Sequence, residues 1–462
     1  MNRILTTSIA ALFIASTAAF ADDKAPLPAP PQFKKLVAEI DLKDGDTLVF
    51  LGDSITHQCL YTQYVEDYFY TRFPKARLHF HNSGVGGDRA KDALTRFDED
   101  VAVYKPKYVT MLLGMNDGSY KDFDKAIFDT YQADMTALLD KIAALGAIAV
   151  PMTPTMHDAR AARAGSRGTL EPRDTYYNGV LSLYGAWLRE QAQVRGLGFV
   201  DMWSPLNSHT LAKRKTDANW TMIKDAVHPG PVGQTVMAAA IINDMVKKTI
   251  VSQIVVDAIP GAPLAKGTNA AVERATFAEG KLTFTALENA LPWVLPEDAK
   301  EGRDLTALGH RYSNEKVTVR QLPAGKYTMS IDGQEIGQFT DAQLAFGVEL
   351  ENNAKTPQYQ QALKVAMLNK QRNDEAYHPL RDQYAQLKGK RRDLQKSLDA
   401  QDPQADAKKA AFAEWYAGQK AQVAALREKA KAIEDQIYQA NQPQPHTFEF
   451  APVKAAAKTA AK

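Results

Sequence analysis

The sequence predicts an α/β fold, a doubly wound parallel sheet over residues 35–250, followed by a small β-rich region and a long antiparallel helical hairpin. Three observations carry this. Between Asp46 and Ile250 short apolar runs alternate with amphipathic stretches of helical period, the pattern of strand-helix-strand units. The first three runs each end on a small polar cluster, and the steps from Ser54 to Gly87 and from Gly87 to Asn116 are 33 and 29 residues, about one such unit each. From Gln358 to Ala440 the composition turns to Ala, Gln, Lys and Leu, with apolar residues stepping by three and four.

Bulk properties set the outer bounds. With 462 residues and 45% hydrophobic content, the chain can form more than one core. Its 56 Lys and Arg nearly balance 54 Asp and Glu and are spread along the chain, so no nucleic-acid footprint stands out. A single cysteine, Cys59, excludes an internal disulfide and is expected to pack behind the Ser54 turn. Residues 1–21 carry Arg3, an apolar stretch through Ile14 and an Ala19-Phe20-Ala21 site, the pattern of a secretory signal peptide cleaved after Ala21. That apolar stretch is too short for a bilayer, so the mature chain is expected to be periplasmic or secreted, without a membrane span. Residues 22–34, with four prolines, read as a leader.

Taken in order, Leu48-Val49-Phe50-Leu51 is an apolar strand that breaks at Gly52 and leaves the Ser54 hydroxyl at the C-terminal edge of the sheet, where open parallel sheets bind ligands. A second strand, Leu78 to His81, runs into the turn at Gly84, Gly86 and Gly87. The third, around Tyr108 to Leu113, ends on Gly114-Met115-Asn116-Asp117. Ala147 to Pro151 and Gly198 to Met202 are expected as the fourth and fifth. Helices are predicted near Thr62 to Phe73, Ala90 to Tyr104, Asp122 to Leu145 and Tyr176 to Val194. The third of these has a core-facing stripe at Ile127, Tyr131, Met135, Leu138, Leu139 and Ile142.

Chemistry follows from the strand ends. A serine hydroxyl is a poor nucleophile until a base takes its proton, and His228 is the histidine best placed in the sequence for that work. Asp225 lies three residues earlier, within one short turn, where it can accept the Nδ1 hydrogen and hold the tautomer. Pro229 keeps His228 out of the helix that follows. Backbone N–H groups of Ser54 and Gly87 and the side-chain amide of Asn116 are expected to bind the developing oxyanion, with glycine at 87 allowing close approach. Asp53 and Asp117 read as turn-stabilising, and His57, His81, His157 and His209 as loop or packing residues.

These blocks, Gly52-Asp53-Ser54, Gly87 before Asp88, Gly114-Met115-Asn116-Asp117 and Asp225-x-x-His228, resemble those of the SGNH hydrolases, also called GDSL esterases. The resemblance covers roughly Lys35 to Ile250. It implies a flavodoxin-like sheet and a serine esterase that needs no metal and no organic cofactor.

Two stretches are candidate walls of the site. Thr155 to Arg173 carries Arg160, Arg163, Arg167 and Arg173 against Asp158 and Glu171, and Asn207 to Trp220 places an aromatic near the Asp-His block. Residues 251–350 show short alternating runs such as Lys281 to Thr285, Lys316 to Arg320 and Lys326 to Ile331, with a hairpin signal at Asp332-Gly333. Residues 351–442 hold two apolar stripes, one through Tyr377, Leu380, Tyr384 and Leu387 and one through Val423, Leu426, Ala430, Ile433 and Ile437. Asp402-Pro403 separates them, hence an antiparallel hairpin that serves as an arm, a self-association contact or a cover over the active-site edge. Residues 443–462 read as proline-marked chain running into an Ala/Lys tail.

The expected function is hydrolysis of short-chain acyl esters, with a small ester or an acetylated carbohydrate as substrate. The loops at the strand ends carry Arg, Lys, Asn, Ser and Thr and offer no long apolar insertion for a fatty chain. A lipase or lysophospholipase, an acetyltransferase using the same acyl-enzyme, and a catalytically silent binding protein are the alternatives.

Overall fold

We describe the protein from a computed structural model, which covers residues 32–165, 171–247 and 249–453. The expected signal peptide, most of the leader, Arg167 and the Ala/Lys tail lie outside these residues.

The first strand, β1 (Thr47–Gly52), is followed by the single turn α1 (Ser54–His57), then α2 (Leu60–Arg72), β2 (His79–Gly84), α3 (Ala90–Asp100), β3 (Tyr108–Leu112), α4 (Lys125–Ala144) and β4 (Ile148–Pro151). All pairings in this sheet are parallel and its order is β2-β1-β3-β4, so the chain reverses direction beside β1. Every residue of β1 except Thr47 is buried, because helices cover both faces. The chain continues through α5 (Ala159–Gly165), α6 (Tyr177–Arg195), α7 (Trp203–Lys213) and α8 (Pro231–Met245).

The expected fifth strand, Gly198 to Met202, is reduced to one parallel bridge between Met152 and Val200. Pro151 has no N–H to donate, and the chain turns at Asp201, whose carboxylate accepts the Ser204 N–H at 2.9 Å as α7 begins. Both α5 and α7 fall in stretches read from the sequence as loops.

Beyond α8 the chain forms β5 (Ser252–Asp257), β6 (Leu264–Thr268), β7 (Ala270–Ala278) and β8 (Lys281–Glu288), then α9 (Lys300–Thr306) and α10 (Leu308–Tyr312). It goes on through β9 (Glu315–Arg320), β10 (Lys326–Ile331), β11 (Gln334–Thr340), α11 (Asp341–Phe346) and β12 (Val348–Glu349). Three helices follow, α12 (Pro357–Arg372), α13 (His378–Asp399) and α14 (Ala405–Ala440), with a π turn over Asn373–Tyr377 between the first two; β13 (Pro445–Pro452) closes the fold. Two sheets, β11-β10-β13-β8-β7 and β12-β9-β5-β6, enclose a second core in which the Phe284 and Phe448 rings stack at 5.0 Å.

Residues 443–462 were expected to form no element, but Pro445–Pro452 is the central strand of the five-stranded sheet, pairing with both β8 and β10. Its prolines stand at the two ends of the strand, where a missing donor costs least, while Phe448 and Phe450 alternate into the core between them.

These later segments pack on the parallel domain. Trp293 is buried in its core and donates its indole N–H to the Tyr64 carbonyl at 2.8 Å. α2 is buried on every side: its outer face meets α12 and α14, where Asn369 donates to Asp67 at 2.9 Å and Arg372 sits 3.3 Å from both Glu66 and Glu434. The stripe of α13 and α14 closes a third apolar cluster over Cys59 and Val85, within the same chain. No helix among the described residues is long and apolar enough to cross a membrane.

Candidate active site

Gly52 ends β1 because nothing larger fits: a Cβ there would lie 2.1 Å from Thr56 Oγ1 and 3.0 Å from the Leu112 carbonyl. Asp53 then caps α1, its Oδ1 accepting the Ile55 N–H at 2.9 Å, and Ser54 is left half-buried at the sheet edge. The neighbouring strand is locked to this turn. Asn82 donates to the Thr56 carbonyl at 2.7 Å, and a Cβ on Gly84 would lie 2.3 Å from the His57 nitrogen.

Far along the chain, Asp225 and His228 arrive on a turn between α7 and α8. Asp225 Oδ1 accepts the Val227 and His228 N–H groups at 3.0 and 2.8 Å, and Ala226 takes a φ of +73°, which folds the turn back on itself. Asp225 Oδ2 lies 2.6 Å from His228 Nδ1, and His228 Nε2 lies 2.8 Å from Ser54 Oγ. Partial burial works against ionisation of Asp225, but the bonds from His228 and Val227 outweigh it and hold the carboxyl below its ordinary range. The side chains of His228 and Asp225 are 35% and 57% exposed, so the site opens directly to solvent.

The other two sequence-predicted residues converge on the same edge. Gly87 adopts a φ of +69°, the left-handed region that glycine enters without strain. Asn116 is oriented by two neighbours: Tyr120 donates its hydroxyl to Oδ1 at 3.2 Å, and Nδ2 donates to the Asp88 carbonyl at 3.0 Å. The second Nδ2 hydrogen has a long contact, 3.4 Å, to Asp53 Oδ2. Asp117 accepts the Ala90 N–H at 2.8 Å and so starts α3. Burial pushes both Asp53 and Asp117 up to about 7. Cys59 is buried as expected, and burial drives its thiol far up, away from any nucleophilic use.

Three residues beside the site were given no functional role from the sequence. Tyr120, at a φ of +55°, orients Asn116; His57, read as a loop or packing residue, accepts the Gly86 N–H on Nδ1 at 3.3 Å; and Lys388 reaches the Gly87 carbonyl from α13. Only His57 had a local signal, its place three residues after Ser54 on the same turn. The candidate walls are largely self-contained: Arg160 bonds the Ala218 carbonyl, Arg163 the Asp174 carbonyl at 2.9 Å, and Asp158 pairs with Arg214 at 2.6 Å. Trp220 points its indole N–H at Glu301 and lies under Lys213, rather than offering a free ring face. Among the described residues no group of three or more His, Cys, Asp or Glu side chains is placed to hold a metal ion.

A parallel sheet of this order sets the Ser54 hydroxyl at its C-terminal edge, where open α/β sheets bind their ligands. Residues 50–236 match the GDSL-like lipase/acylhydrolase family, and the match marks this part of the chain as an enzyme that acts on carboxylic ester bonds. An acetylxylan esterase of Geobacillus stearothermophilus is 24% identical over 224 residues, covering 44% of this chain and 94% of that protein. Among solved structures, a gut microbial diltiazem-metabolizing enzyme covers 90% of this chain and 100% of its own, with a TM-score of 0.76 and 23% identity, a likeness of fold. The crystal structure of an acetylxylan esterase from G. stearothermophilus covers 44% of this chain and 96% of its own, with a TM-score of 0.37 and 23% identity.

Proposed function

We propose that this chain is an exported serine esterase that removes short acyl groups, acetyl above all, from carbohydrate. The unbroken hydrogen-bond path from Ser54 Oγ through His228 to Asp225 carries the reading. In it, Ser54 Oγ attacks the ester carbonyl as its proton passes to His228 Nε2. Ionised Asp225 keeps the Nδ1 hydrogen in place and stabilises the imidazolium. The carbonyl oxygen, now an oxyanion, is met by the N–H groups of Ser54 and Gly87 and by the Asn116 amide, whose long contact to Asp53 is the one it can give up. The imidazolium protonates the leaving alcohol. Water, deprotonated by the same histidine, then cleaves the acyl-enzyme and returns the proton to Ser54.

The substrate reading rests on the openness of the site and on the charged residues around it. Lys224 and Arg173 are exposed beside Asp225, and a shallow polar edge suits a bulky alcohol with a small acyl group better than a fatty chain. The acetylxylan esterase relative points the same way. Acyl-chain length is the deciding experiment: on p-nitrophenyl esters, turnover is expected to be fastest for acetate and to fall steeply by octanoate, with acetate released from an acetylated polysaccharide. Turnover that climbs with chain length replaces this reading with a lipase. Export rests on residues 1–21; mass spectrometry of the periplasmic or secreted protein is expected to find Asp22 at the N-terminus, and Met1 there overturns it.

A further inference from the structure

The turn that carries Gly86 and Gly87 is exposed and rich in glycine, the backbone that loses most freedom on ordering. Its conformation is held from outside. Lys388, on α13 and 301 residues downstream, donates from Nζ to the Gly87 carbonyl at 2.8 Å. The same ammonium pairs with Asp88 Oδ1 at 2.9 Å and Asp92 Oδ2 at 3.2 Å, while Asp88 Oδ2 belongs to Arg96 at 2.8 Å. Earlier on α13, Asp382 Oδ1 lies 3.5 Å from His57 Nε2. His57 accepts the Gly86 N–H on Nδ1, so its own hydrogen is on Nε2, facing Asp382. Burial, with the Arg381 charge nearby, pushes this histidine down to about 4 and keeps the ring neutral.

We propose that Lys388 is a positioning residue for ester hydrolysis: with Asp382 acting through His57, it fixes the Gly86-Gly87 turn so that the Gly87 N–H is aimed at the developing oxyanion. This rests on the reading of Gly87 and Asn116 as oxyanion donors. The C-terminal hairpin is then part of the catalytic apparatus, because an oxyanion donor works through preorganisation and loses its effect when its backbone can turn away. The bond from Lys388 is charge-assisted, and its ammonium is held in place by Asp88 and Asp92 as well.

The test uses the full chain and p-nitrophenyl acetate. Lys388→Met is expected to lower kcat by about 10- to 100-fold, a fraction of what losing an oxyanion donor outright costs, with KM within about twofold and the thermal midpoint nearly unchanged. Lys388→Arg is expected to recover part of the loss, and Lys396→Met, exposed on the same helix, to leave kcat alone. Combined with Asn116→Ala, the Lys388→Met loss is expected to be less than multiplicative, because both changes act on one oxyanion. Full kcat in Lys388→Met beside a large loss in Asn116→Ala overturns the positioning role and leaves the oxyanion reading standing. Full kcat in both variants removes the oxyanion reading, and this proposal with it. A loss that follows the thermal midpoint and multiplies with Asn116→Ala assigns Lys388 to stability alone and also overturns the proposal.

Discussion

The Arg381 guanidinium and the Asp100 carboxylate meet through two hydrogen bonds of 2.6 and 2.8 Å, both side chains fully buried, across 281 residues of chain. Asp100 also takes Arg96 at 2.6 Å and Ser83 at 2.7 Å. Burial opposes its ionisation, but the two guanidinium groups outweigh this and hold the carboxyl far below its ordinary range. Removing Arg381 leaves the buried Asp100 carboxylate with Arg96 and Ser83 alone and two charge-assisted hydrogen bonds short, so Arg381→Met is expected to cost about 1.5–3 kcal/mol. Denaturant unfolding measures the loss, and faster amide exchange in α13 locates it; unchanged exchange there argues against the pair as the anchor of the hairpin.

Ser54→Ala is expected to abolish ester hydrolysis with the fold intact, since nucleophile and base act as a unit. A serine-directed organophosphonate should label Ser54, and peptide mapping reads the site. Label on Cys59 or on another serine removes the assignment.

Asp225→Asn keeps the size of the side chain but loses the charge that holds the His228 tautomer. A fall in kcat of about 10⁴ is expected, the size seen when the orienting aspartate of a serine triad is so changed. A loss of less than about tenfold in kcat speaks against Asp225 as the group that orients His228.

Asn116→Ala is expected to lower kcat by about 10²–10³ with little change in KM. If the whole loss appears in KM, Asn116 binds substrate in the ground state instead.

Buried acids make stability fall with rising pH. Burial pushes Asp53, Asp117 and Glu351 up to about 7, and drives Glu315, beside Glu288 and Glu351, well above its ordinary range. Each binds its proton more tightly folded than unfolded. Their stabilisation is therefore full below the unfolded values of 3.8 for the aspartates and 4.5 for the glutamates, and is lost as pH rises through about 7. The thermal midpoint is expected to be higher at pH 5.5 than at pH 8.5, and Glu351→Gln to flatten that slope. A midpoint that climbs across this range contradicts the assignment.

The groups of the candidate site were legible in the sequence because their requirements are local. Gly52 is demanded by Thr56 four residues on, Pro229 keeps His228 out of α8, and Asp225 reaches the His228 ring through a three-residue turn. Strand and helix period likewise placed β1 to β4 and the helices between them within a few residues. What tertiary structure decided is which distant group answers each buried charge. Glu66, Asp67 and Arg72 make α2 look like a half-solvated helix, yet all three are buried, because Arg372, Asn369 and the Tyr312 carbonyl arrive from 240 residues or more away. The same holds for Lys388 at the Gly87 carbonyl and for β13, whose two phenylalanines find a core only once β8 and β10 stand on either side. Periodicity records which face of an element is apolar, and a cap or a turn records its immediate neighbours. The partner of a buried ion is set by the packing of whole segments, for which a single local stretch carries no period.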